Sequence, residues 1–141
     1  MVGPLSYIGG KRTLAKRIIQ IFPKHTTYVE AFAGGAQVFF HKQPSKVEVL
    51  NDLDGEIVNF FRVCQQHSEE LVRYLHFSLV SRKWFELLRA TDPATLTDIQ
   101  RGSTVLVSSE RFLRQPRKSA QLPLARCTTT RLQFGAPSRA H

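Results

Sequence analysis

The sequence predicts an α/β fold, on three observations. The β-favouring run Tyr28-Val29-Glu30 passes through Gly34-Gly35 and resumes as an apolar helical pattern to Phe40, which reads as strand, tight turn and helix. A second strand pattern, Lys46-Val47-Glu48-Val49-Leu50, ends in Asn51-Asp52-Leu53-Asp54. Helical spacing then dominates from Glu56 onward. A chain of 141 residues suits one domain with a real core.

Composition narrows the classes. Cys64 and Cys127 lie far apart and outside any C-x-x-C pattern, so a disulfide framework is not expected and a reducing compartment is. No apolar run reaches the length of a membrane span, and the N-terminus lacks the layout of a secretory signal. The expectation is a cytoplasmic protein without a membrane partner. The net charge is +9, and 7 Lys/Arg against one acid, Glu110, fall in residues 102–141. That balance is compatible with a phosphate backbone as partner, and equally with a solvated basic tail. The five histidines share no ligand spacing, so no metal is expected.

Leu5-Ser6-Tyr7-Ile8-Gly9-Gly10-Lys11-Arg12 opens the chain. Leu14, Ile18, Ile19 and Phe22 then fall at helical spacing before Pro23, a loop feeding an amphipathic helix. Gly9-Gly10-Lys11 is not a P-loop: Leu5 stands where the first glycine belongs and Arg12 where Ser or Thr belongs. It is either a flexible turn or a lysine placed to meet a ligand carboxylate.

The strand Thr27–Glu30 leads into F-A-G-G-A and a short helix around Ala36–Lys42. A glycine turn lets a ligand approach the backbone with a helix N-terminus facing it. It can also be a close helix–strand packing point. It is not G-x-G-x-x-G, so a nicotinamide cofactor is not favoured. Asp52, about 20 residues past the glycines, suits a ribose. Asp52 or Asp54 also suits the cap of the following helix. That helix runs Glu56–Gln66. Two more follow, one marked by Leu71, Leu75 and Leu79, the other by Trp84, Phe85, Leu87 and Leu88. Asp92-Pro93 reads as a turn and Thr97–Arg101 as the start of another helix.

Together, Y-I-G-G-K, Y-V-E-A-F-A-G-G-A and V-L-N-D-L-D with E-I-V-N-F-F resemble Dam-like DNA adenine-N6 methyltransferases, over roughly residues 4–101. The resemblance implies a truncated, Rossmann-like methyltransferase fold with a mostly parallel sheet. It implies S-adenosylmethionine as methyl donor and adenine in double-stranded DNA as acceptor. It carries cofactor contacts to Tyr7 and Lys11 with Gly9 and Gly10 between them. The turn glycines Gly34 and Gly35 would approach the methionine part, flanked by Glu30 and Phe32. Asp52 would meet the sugar. The helices after about residue 65 resemble the start of an inserted DNA-recognition region.

One part of the family pattern has no counterpart. The exocyclic amine of adenine is a poor nucleophile because its lone pair is delocalised into the ring. The family answers with Asp/Asn-Pro-Pro-Tyr/Phe, whose oxygens accept the amine hydrogens while the aromatic stacks on the flipped base. This chain contains no such run; Asp92-Pro93-Ala94-Thr95 shares two letters and is read as a turn. No catalytic residue is assigned, and the chain alone is expected to be a monomeric fragment without transfer activity. The alternative is a non-enzymatic, basic nucleic-acid-binding fragment.

The expected organisation is a cofactor-binding part over 1–64, a helical start of the DNA-recognition region over 65–101, and an unstructured basic tail over 102–141. Little packing is expected from about residue 105. The tail is either natural or the product of a shifted reading frame. Read one nucleotide later, permitted codons for 102–114 give an aromatic helical pattern.

Overall fold

The computed structural model describes residues 3–5, 13–78, 81–109 and 132–134. Their order is α1 (Ala15–Gln20), β1 (Thr27–Glu30), α2 (Gln37–His41), β2 (Val47–Leu50), α3 (Gly55–Gln66), α4 (Ser68–Phe77), α5 (Arg82–Ala90), a 3-10 turn (Pro93–Thr95), α6 (Asp98–Ser108) and β3 (Leu132–Phe134). The strands form a parallel sheet in the order β1-β2-β3. Val29 stands beside Val49, and Glu30 beside Leu50. Helices alternating with parallel strands make this an α/β arrangement.

The sheet has two unlike faces. Tyr28, Glu48 and Leu50 are buried on one. Val29, on the other, is 57% exposed. The buried face carries a charge pair: the Lys42 ammonium lies 2.5 Å from Glu48 and 4.3 Å from the centre of the Tyr28 ring. Lys42 also donates to the Ser45 hydroxyl and the Gln43 carbonyl. Glu48 accepts the Ser45 N–H. This cluster closes the short connection from α2 to β2. A buried charge is tolerated only when paired and hydrogen-bonded in this way.

Aromatic rings join the sheet layer to the helices. Phe39 and Phe40 of α2 meet edge to face at 5.0 Å; Phe40 reaches Phe61 at 6.3 Å, and Phe61 meets Phe60 at 5.2 Å. All four are at most 1% exposed. In α3, Ile57, Phe60, Phe61 and Cys64 fall at i, i+3, i+4 and i+7 and form its buried stripe. Asp54 caps α3 by accepting the Glu56 N–H at 2.9 Å.

The most extensive helix contact is between α3 and α6. Thr97 and Gln100 form a capping box at the start of α6. Asn59 donates to the Asp98 carbonyl at 3.0 Å, and Arg62 bonds the Asp98 carboxylate at 2.8 Å. Arg101 pairs with Glu56 through two guanidinium nitrogens. That hydrogen bond holds the guanidinium protonated above the ordinary arginine range, against a smaller opposing effect of burial.

The helix begun at Thr97 does not stop at Arg101. It continues to Ser108 and buries Gly102, Ser103, Leu106 and Val107, with Val105 packed beside the core. Packing therefore persists past residue 105, against the sequence expectation. Ile99, Ser103 and Leu106 keep helical spacing through the polar Gly-Ser-Thr run that hides it. Gly102 brings the backbone to Val63, whose side chain would lie 3.6 Å from an added Cβ. β3, which pairs with β2 through Glu48 beside Leu132, likewise lies in a stretch read from sequence as an unstructured tail. Residues 110–131 and 135–141, on which the rest of that reading falls, lie outside the described residues.

Candidate functional site at the glycine turn

The site is built where the C-terminal ends of β1 and β2 meet. Asn51 stitches those ends together. Its N–H donates to the Glu30 carbonyl at 2.9 Å, its carbonyl accepts the Ala33 N–H at 2.9 Å, and its side-chain amide donates to the Ala31 carbonyl at 3.0 Å. The chain then turns back: the Ala36 N–H meets the Ala33 carbonyl at 2.7 Å. Gly34 takes φ 50° and Ala36 φ 49°. The first suits glycine; the second is a left-handed alanine, a conformation that costs about 1–2 kcal/mol. Ala36 is fully buried, and the packing of its methyl group offsets part of that cost.

Ala36 precedes α2 and offers no side-chain oxygen to cap it. Glu30 supplies the cap from the strand. Its Oε1 accepts the Phe39 N–H at 2.8 Å and the Tyr28 hydroxyl at 2.6 Å. One carboxylate thus satisfies an orphan amide at the helix start and fixes the strand-to-helix angle.

Asp52 joins the second strand to the turn. Its Oδ2 accepts the Gly34 N–H at 2.7 Å, and its Oδ1 accepts the Asp54 N–H at 3.0 Å. Each carboxylate oxygen keeps further acceptor capacity, and the side chain is only half-buried. Phe32, 75% exposed, and Leu53, 85% exposed, are the apolar residues just past the two strand ends. A concave turn without side chains, a carboxylate and an exposed ring together can hold a flat, hydroxyl-bearing ligand.

Of the residues the sequence singled out, the structure brings Glu30, Phe32, Gly34, Gly35 and Asp52 to this one end of the sheet. Asp54 caps α3, so the two acids divide the roles that sequence left open between them. Asp92 spends its carboxylate on the Ala94 N–H at 2.9 Å, as a turn residue does. Tyr7, Gly9, Gly10 and Lys11 lie outside the described residues. Gln37 and Asn51 escaped the sequence reading. Gln37 had a visible signal: it is a lone amide in the apolar run A-Q-V-F-F.

Two cavities lie beside this end rather than in it. One of about 470 Å³ borders Leu5, Asp54, Glu56 and Arg101. One of about 930 Å³ lies among α4, α5 and the start of α6, bordered by Arg73, Tyr74, Phe77, Lys83 and Trp84. Among the described residues there is no group of three potential metal ligands, and no helix is long and apolar enough to cross a membrane.

The profile of the D12 class N6 adenine-specific DNA methyltransferases matches residues 7–108. The chain is 34% identical over 89 residues to the type II methyltransferase M1.LlaDCHI of Lactococcus lactis subsp. cremoris, covering 61% of this chain and 31% of that protein. It is 41% identical over 63 residues to the modification methylase StsI of Streptococcus sanguinis, covering 44% and 10%. It is 27% identical over 70 residues to the DNA N-6-adenine-methyltransferase of Escherichia phage P1, covering 50% and 9%. The chain thus spans about a third or less of the length of these relatives. With the glycine turn, the strand-end acid and the α/β order all inside the matched span, the chain belongs to the D12 class of N6 adenine-specific DNA methyltransferases.

Proposed function

We propose that this chain is the cofactor-binding portion of an enzyme that transfers a methyl group from S-adenosylmethionine to N6 of adenine in double-stranded DNA. The observation that carries the reading is the 2.7 Å bond from Gly34 N–H to the Asp52 carboxylate. It couples the side-chain-free turn to the acid at the ends of adjacent parallel strands, where open α/β sheets bind nucleotides. The finer fold assignment, a Rossmann-like methyltransferase sheet, belongs to this proposal.

The residues fit such a cofactor. Asp52 would accept the ribose hydroxyls, charge-assisted bonds worth roughly 1.5–3 kcal/mol each. Phe32 would cover an apolar face of the nucleoside. Gly34 and Gly35 would admit the methionine part against the backbone, and Glu30 would hold the turn through α2. Tyr7 and Lys11, with Gly9 and Gly10, would close the site, Lys11 against the carboxylate. When bound, the cofactor supplies an electrophilic methyl on a sulfonium. The residues here bind and orient; none of them relieves the adenine amine of its hydrogens, and the chain carries no Asp/Asn-Pro-Pro-Tyr/Phe run. We therefore assign cofactor binding, and no methyl transfer, to this chain alone.

We divide it into a cofactor part over 1–64 and a recognition start from 65. The basic segment, natural or frameshifted, then begins after Ser108 rather than after Arg101, because α6 packs through Val107. A DNA partner is supported by Arg73 and Lys83 beside Tyr74, Phe77 and Trp84 around the larger cavity. Cations and rings together suit nucleic acid.

Calorimetry with S-adenosylhomocysteine tests the reading. The chain should bind it, and Asp52→Ala should bind about tenfold or more weakly, the scale of one charge-assisted bond. Equal affinities would remove Asp52 from the site. Methylation of adenine-containing DNA by the purified chain would overturn the inactive assignment.

A further inference from the structure

We propose that Gln37 is a positioning residue for the cofactor site. Its side-chain amide ties the N-terminal segment to the glycine turn and so fixes where the lysine-bearing loop begins. This rests on the cofactor reading above and extends it to a residue with no assigned role.

Gln37 is 6% exposed, within an otherwise apolar helix. Its Nε2 donates to the Leu5 carbonyl at 2.7 Å and lies 3.4 Å from the Gly35 carbonyl. One amide therefore bridges two backbone segments 30 residues apart in sequence. A second feature of the same junction agrees. A Cβ on Gly3 would stand 2.9 Å from the Gly35 carbonyl oxygen, 2.9 Å from the Phe40 ring and 3.0 Å from Gln37 Nε2. Only a residue without a side chain lets the segment lie this close to the turn. Leu5, 1% exposed, completes the anchor.

Burying an amide here is not the simplest way to fill the space. Gln37 Oε1 is buried and meets no donor among the described residues, which is unfavourable by itself. A methionine would fill a similar volume without that cost. What methionine cannot do is hold the Leu5 carbonyl. Leu5 precedes Tyr7 by two residues and Lys11 by six. Two residues of chain reach at most about 7 Å, so an anchor at Leu5 limits where that loop can start.

The test is a double-mutant cycle read by S-adenosylhomocysteine calorimetry, with thermal melting alongside. Gln37→Met should weaken binding about tenfold, the upper end for one buried hydrogen bond. Lys11→Ala should weaken it as well. The pair together should be no weaker than Lys11→Ala alone, because Gln37 acts through that loop. A merely structural amide gives losses that add, or binding that falls only as melting temperature falls; either result overturns the proposal, as does full affinity in Gln37→Met. Should Gln37→Met not fold, Gly3→Ala carries the test: it pushes the same segment off the turn and leaves the amide intact. It should weaken binding in the Lys11 background and have no effect once Lys11 is alanine. A wild-type chain that binds no S-adenosylhomocysteine overturns the cofactor reading, and this inference with it. A chain that binds while its Gln37→Met variant binds equally well overturns this inference alone.

Discussion

The two halves of the molecule are held by different forces. Around the turn, between β1 and β2, polar side chains set the backbone: Glu30 caps α2, Asp52 ties Gly34 to Asp54, Asn51 laces the strand ends, and Lys42 pairs with Glu48. Its nearby apolar side chains, Phe32 and Leu53, face solvent. In α3 through α6 the order is reversed. Apolar stripes meet inside, and polar groups such as Thr97, Gln100 and Asp98 work at the ends. The helical half is shaped by volume and the turn half by donors and acceptors. A surface that receives a polar ligand needs its backbone fixed without filling the space where the ligand goes.

That contrast can be broken by substitution. Phe60→Ala, at a fully buried ring, should destabilise by about 3–5 kcal/mol, read from denaturant unfolding. Isosteric polar changes should be as severe only in the turn half. Lys42→Met leaves Glu48 buried without its cation and should cost about 3 kcal/mol, with most of it recovered in the Lys42→Met, Glu48→Leu pair. If Lys42→Met is neutral by the same measurement, charge does not hold that half. At the smallest end, Phe32→Ala should move stability by less than about 0.5 kcal/mol, since an exposed ring packs little. It should nonetheless lower affinity for S-adenosylhomocysteine. A large loss of melting temperature would make Phe32 a packing residue instead.

The same contrast explains what sequence could show. Regular apolar spacing found α3, α4 and α5, and β-branched residues around Tyr28 found β1 to the residue. The glycine pair and the acid after the second strand located the turn, because backbone freedom and charge are local properties. The continuation of α6 was obscured: Gly102, Ser103 and Thr104 are poor helix formers, and their burial depends on the distant surface of Val63. The roles of Gln37, Asn51 and Glu30 were hidden for a related reason. Each acts through a carbonyl or an amide, groups every residue carries, so no letter of the sequence marks the partner.

The Asp52 carboxylate has been aimed during folding, by two amides of its own chain. A hydroxyl arriving there would find an acceptor that has no rotamers left to lose, which favours tight capture of a small polar molecule. It also means that replacing this side chain disturbs two loops at once. The cleaner dissection edits the visitor: a 2′-deoxy or 3′-deoxy analogue deletes one contact and leaves the protein whole.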